Sequence, residues 1–222
     1  MLTQIYEVSS PAEASALCEL GVDHIGILLG EGSFPREQPL ASAAAIRAAV
    51  RRPSVVCALF LTADTDRIGA MARALAPDIL HLGAAPELLS PQDCALLRQL
   101  LPAVLLMRSI PVTGEEALGL ARSYEGAVDF LLLDSHTVGD SQIGALGRTH
   151  DWRISARIAR AATMPVLLAG GLGPENVAEA IRSVRPAGVD SKTKTDHFGT
   201  HSKNLAAVRA FVRAAREAAA SP

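Results

Sequence analysis

The stretch PVLLAGGLGPENVAEAIRSV, residues 165–184, joins an apolar run to a glycine pair and then to a segment of helical period. The run at 165–169 has no polar position, as a strand buried on both faces requires. Beyond the glycines, Pro174 stands where a first helical turn tolerates proline, and the apolar residues that follow recur at helical spacing. Strand, turn and helix make one unit, and the unit repeats along the chain. Strands are expected at 3–8, 24–29, 55–61, 79–82, 104–110, 130–134, 165–169 and 188–192, each followed by a helix candidate, among them 11–20, 64–75, 174–185 and 202–220. Eight such units in 222 residues predict a single-domain (β/α)8 TIM barrel spanning 1–222. An open doubly wound sheet would show fewer units and a glycine fingerprint after its first strand. Here that position reads EVSSPAEA, a helix start with Ser9 or Ser10 as cap, Pro11 at the first helical position and Glu13 in the first turn.

Composition bounds the function. The chain is 49% hydrophobic with net charge -2 and pI about 6.3, so it offers no electrostatic footprint for nucleic acid or an anionic membrane. A small molecule is the expected partner. No apolar run reaches bilayer length, and the first residues, MLTQIYEVSS, lack the basic and apolar regions of a signal peptide, which predicts a cytoplasmic protein. Cys18, Cys57 and Cys94 are odd in number and widely spaced, the pattern of buried thiols rather than of disulfides or a zinc knuckle.

In such barrels chemistry gathers at the C-terminal ends of the strands. The residues expected there are Tyr6 and Glu7, Arg36, Thr62 and Asp64, His81, Arg108, Asp134, the Gly170–Gly171 pair, and Lys192, Thr193, Lys194, Thr195 and Asp196. A carboxylate that closes a run of three leucines, as Asp134 does, must face a partner or a ligand. Gly170 and Gly171 precede an expected helix start near Pro174, so backbone N–H groups can approach an anion closely, and phosphate is the anion most often held in that way. Lys192 and Lys194 lie at the same pole and favour the same ligand. Asp64, His81 and Asp134 have the residue types of metal ligands, but matching histidines at other strand ends are missing, so neither metal nor cofactor is expected.

The order of these features resembles the phosphoribosylanthranilate isomerase family over essentially the whole chain. GVDHIGILL is similar to the family's second strand, FPRE places Arg36 where the family has an arginine for the anthranilate carboxylate, and FLLLD ends at Asp134, matching its general acid. IGALGRTHDW resembles the family's GGTGxxxDW loop and keeps Gly144, Gly147, Asp151 and Trp152, while LLAGGLGPENV is nearly a family phrase. The resemblance implies a tryptophan-pathway Amadori rearrangement of a phosphoribosyl amine, with Arg36, His81, Arg108, Gly147, Gly170, Gly171, Lys192, Thr193 and Lys194 around the substrate. Three departures stand out. Where the family has KICG, with the cysteine as general base, this chain has Gln4, Ile5, Tyr6 and Glu7. Lys192, Thr193 and Lys194 replace the small SSG of the eighth strand end, and His81 stands where the family usually shows glutamine.

An Amadori rearrangement needs an acid near the ring oxygen and a base near C2. Asp134 is the expected acid, and Glu7 or Tyr6 the expected base, although a phenol of ordinary pKa about 10 is a poor base at neutral pH. Cys57 lies within its strand and cannot inherit the lost thiol's role. Two further readings remain open: a Schiff-base aldolase or lyase using Lys192 or Lys194, and a noncatalytic ligand-binding paralogue. The expected assembly is a monomer or a homodimer.

Overall fold

The computed structural model of the chain describes residues 1–135 and 149–220. Eight parallel strands close into a barrel in chain order: β1 (Leu2–Ile5), β2 (His24–Leu28), β3 (Val55–Phe60), β4 (Ile79–Leu82), β5 (Leu105–Pro111), β6 (Phe130–Asp134), β7 (Val166–Leu168) and β8 (Gly188–Ser191). The seam is a true pairing, with Ile5 opposite Ile25 on one side and Ser191 on the other. Around the barrel run α1 (Pro11–Glu19), α2 (Leu40–Ala49), α3 (Thr65–Leu75), α4 (Pro91–Leu100), α5 (Glu116–Ser123), α6 (Trp152–Ala161), α7 (Val177–Val184) and α8 (Leu205–Ala220). The fold is the (β/α)8 barrel expected from the repeating unit.

Two apolar layers follow from the period-2 alternation of each strand. One side of the strands packs against the helices through residues such as Ile5, Ile25, Ile27, Leu106, Ile110, Leu131 and Val189. The other side fills the barrel axis with Tyr6, Cys57, Ile79, Met107, Leu132 and Leu167. That plug closes the barrel axis below the mouth. At the opposite end, buried His24 is tied to Gln4 through Nδ1 and Oε1 at 3.0 Å.

The helix boundaries are set by short polar side chains. Ser10 accepts from Glu13 N and Asp64 from Arg67 N, and Ser90 forms a reciprocal capping box with Asp93. Two expected starts are corrected. α7 begins at Val177 rather than near Pro174, because Asn176 folds 173–176 into a turn, accepting from Gly173 N at 2.9 Å and donating to Gly171 O at 3.1 Å. α8 begins at Leu205 rather than at Ser202, since the Asn204 side chain accepts from the amides of Ala206 and Ala207. β1 is also shorter than expected, because Glu7 adopts a left-handed backbone with φ 58° and ends the extended run. Among the described residues no helix is long and apolar enough to cross a membrane.

Candidate active site

A cavity of about 120 Å³ opens at the C-terminal mouth of the barrel. Its floor is a row of polar groups above the axial plug. The Tyr6 hydroxyl lies 2.5 Å from His81 Nδ1 and 2.9 Å from Cys57 Sγ, and His81 Nε2 lies 2.7 Å from Ser109 Oγ. The Tyr6 ring fits only because β2 carries glycine beside it: a Cβ on Gly26 would stand 2.3 Å from the ring. Burial dominates the electrostatics of this floor. It pushes His81 down to about 3, with the Arg108 charge adding to the effect, so His81 is neutral in the folded protein. Burial likewise raises Tyr6 well above the ordinary phenol range, assisted by Cys57 and Asp190, and lifts the Cys57 thiol to about 12.

Two carboxyl groups face each other's field across the mouth. Asp134, at the end of β6, is pushed by burial up to about 7, against the lowering effect of the Ser135 backbone N–H that donates to it at 2.7 Å. Asp190, on the inward side of β8, accepts from Gln4 Nε2 at 3.2 Å and is raised first by burial and then by the charge of Asp134. Both line the main cavity and also a smaller recess between the ends of β7 and β8.

A third cluster borders the cavity on the β1 and β2 side. Arg36 donates through Nε and Nη2 to the two oxygens of Glu7, the second at 2.8 Å, and Lys192 Nζ lies 3.2 Å from Glu7 Oε2. Both Glu7 and Arg36 have positive φ, 58° and 70°. Burial opposes ionisation of Glu7, but the hydrogen bonds from Arg36 and the charge of Lys192 outweigh it and hold the carboxyl below its ordinary pKa. Lys192 also reaches Asp196 at 3.5 Å, and Asp196 is held at 2.5 Å by the fully buried Lys203 amine.

The recess, about 30 Å³, is bounded by Gly170, Gly171, Lys192, Thr193 and Lys194 besides the two carboxyls. Gly170 and Gly171 take φ of 85° and 62°, a conformation that glycine adopts without cost. Gly173 brings this turn against the eighth loop, since a Cβ there would lie 2.7 Å from Lys194 Cβ. Lys194 pairs at 3.4 Å with Glu175, and both side chains are exposed, so this cation remains open to a ligand.

Of the residues expected at the site, Tyr6, Glu7, Arg36, His81 and Asp134 meet at the main cavity, Gly170, Gly171, Thr193 and Lys194 at the recess, and Lys192 and Asp134 at both. Arg108 is a correction. Its neighbours Met107 and Ser109 take the inward positions of β5, so Arg108 points outward, where it donates to Leu82 O at 2.6 Å and stacks 5.2 Å over Tyr124. It serves the packing between barrel and helices. Gly144 and Gly147 lie outside the described residues. Asp190, Gln4 and Ser109 were not anticipated as site residues; the signal for Asp190 was a lone carboxylate in a strand of otherwise small and apolar residues. Among the described residues no group of three or more histidines, cysteines and carboxylates is arranged to hold a metal ion.

This geometry can be set beside known proteins. The family model for N-(5'-phosphoribosyl)anthranilate (PRA) isomerase matches residues 3–214. The chain belongs to the PRA isomerase family. An N-(5'-phosphoribosyl)anthranilate isomerase of Myxococcus xanthus is 38% identical over 94% of this chain and 93% of its own length, and one of Afipia carboxidovorans is 33% identical over 100% and 92%. The structure of the Pyrococcus furiosus PRA isomerase superposes with a TM-score of 0.79 at 24% identity, covering 98% of this chain and 99% of that one. Family membership is thus carried by the sequence over the full barrel, and the shared fold accompanies it. Within this site Tyr6 fills the floor, and Glu7 takes a glycine-like backbone while its carboxylate occupies Arg36.

Proposed function

We propose that this chain is an aldose-ketose isomerase that carries out an Amadori rearrangement on a small phosphorylated ribosylamine. One observation carries the reading: the Asp134 carboxyl, held near pKa 7 by burial, stands between the cavity and the glycine recess. An acid of that strength keeps a proton for delivery and releases it at neutral pH. With the substrate phosphate at Gly170, Gly171 and Lys194, the ribose lies beside Asp134 and Asp190. Asp134 protonates the ring oxygen as the nitrogen lone pair expels it and the C1–O bond breaks, leaving a protonated imine at C1. A carboxylate then removes the C2 proton to form the enolamine, and protonation at C1 with loss of the 2-hydroxyl proton leaves the ketone at C2.

Neither of the two groups expected as base suits the second step, and the carboxylate that remains is Asp134 itself once it has given its proton to the ring oxygen, since burial and the charge of Asp134 favour a protonated Asp190. Tyr6 is disfavoured as base because burial moves its pKa further from neutrality and its hydroxyl is committed to His81 and Cys57. Glu7 is ionised, but both of its oxygens are engaged by Arg36 and one by Lys192. The Schiff-base reading is weakened in the same way, since Lys192 is engaged by two carboxylates and Lys194 is solvated rather than desolvated as a nucleophilic amine requires.

The test follows N-(5'-phosphoribosyl)anthranilate by its fluorescence, and the corresponding aniline conjugate by chromatography, with wild type and Asp134→Asn. Wild type is expected to convert at least one of them, and the variant to lose about a hundredfold or more in kcat. Conversion of neither by wild type contradicts the assignment.

A further inference from the structure

The main cavity is poor in available positive charge. Among the described residues its cations are Arg36 and Lys192, and both are already held by carboxylates of the chain itself. Arg36 is engaged through two nitrogens, the fork geometry by which a guanidinium would otherwise grip a ligand carboxylate. The Glu7 side chain is 9% exposed, so a ligand anion that displaced it would leave a buried carboxylate short of its main partner. Leu28, Pro35, Leu59 and Leu61 complete the wall with apolar surface.

We infer that Glu7 is a specificity-determining residue: it occupies the seat on Arg36 that a ligand carboxylate would need, so the cavity takes an uncharged, apolar amine portion and the phosphate is the ligand's only anionic group. The inference rests on the isomerase reading for the placement of that phosphate in the glycine recess. The exclusion works by charge already in place rather than by shape, so removing the internal carboxylate converts the preference.

The test is calorimetric binding of two unreactive analogues, 1-phenylamino-1-deoxyribitol 5-phosphate and its 2-carboxyphenyl counterpart, to wild type, Glu7→Gln and Glu7→Gly. Glycine suits the left-handed backbone at this position, and glutamine keeps the side-chain volume, so one of the pair remains informative if the other folds poorly. Wild type is expected to bind the uncarboxylated analogue about tenfold more tightly or better. Both variants are expected to shift the ratio toward the carboxylated analogue by about tenfold, and adding Arg36→Met is expected to cancel the shift. A wild type that prefers the carboxylated analogue, binds neither, or keeps its ratio in both variants overturns the inference. The expected binding ratio without turnover of either parent ribosylamine would count against the isomerase reading alone.

Discussion

At the residue scale, Asp134, as the proposed acid, is expected to set the pH behaviour of the site. Because an acid must be protonated to deliver its proton, kcat/KM is expected to fall as pH rises through about 7, a limb that a pH-rate profile reads directly. The same shift has a consequence for stability. The folded pKa lies above the unfolded value near 4, so the favourable contribution of Asp134 is fully present below about pH 4 and is lost as pH rises through 7. Asp134→Asn is therefore expected to be more stable than wild type at pH 8, by about 2 kcal/mol after allowing for contact with the open cavity, with the gap closing toward pH 4 in urea unfolding. His81 has the opposite sign. Its folded pKa of about 3 lies below the ordinary value, so stability is present above about pH 6.5 and is lost as pH falls toward 3. His81→Gln is expected to lose less stability than wild type between pH 6.5 and 4. Sequence located Asp134, Arg36 and the glycine pair because each ends or follows an apolar strand. It did not reveal that Glu7 meets Arg36, because the pairing spans 29 positions and depends on two left-handed residues.

At the element scale, β1 and β2 are matched by size. The Tyr6 ring, directly after β1, requires the missing side chain of Gly26 on β2, with a hypothetical Cβ only 2.3 Å away. Gly26→Ala is expected to cost about 1–3 kcal/mol by overpacking, and adding Tyr6→Cys to recover most of it. Additive effects in the double mutant would contradict this account of the floor. Strand phase also explains the misplacement of Arg108. Position at a strand end was legible, but which of two successive residues faces the axis was not, and the alternation on β5 puts Ser109 inward. Asp190 was hidden for the complementary reason, being one residue inside its strand rather than beyond its end. The late starts of α7 and α8 both trace to asparagine side chains, Asn176 bonding within its own loop and Asn204 capping the first amides of α8, local hydrogen bonds that periodicity does not register.

At the scale of the whole molecule, the architecture was legible because eight apolar strands alternate with helices, and a parallel sheet covered on both faces has few ways to close. Closure gathers residues from β2, β3, β4, β5, β6 and β8, and from the segment directly after β1, around one mouth, where a neutral floor, a carboxyl pair and a glycine recess stand side by side. The barrel itself does not choose the reaction; in the proposed reading the carboxyl pair and the recess do. The most direct measurement is carbon NMR of phosphoribosylaniline labelled at C1 and C2 of the ribose, incubated with wild type and with Asp134→Asn. The account predicts that wild type converts the C2 carbinol signal to a ketone while C1 becomes a methylene, and that the variant leaves the substrate signals in place over the same period. An unchanged spectrum with wild type, or equal conversion by the variant, would contradict it.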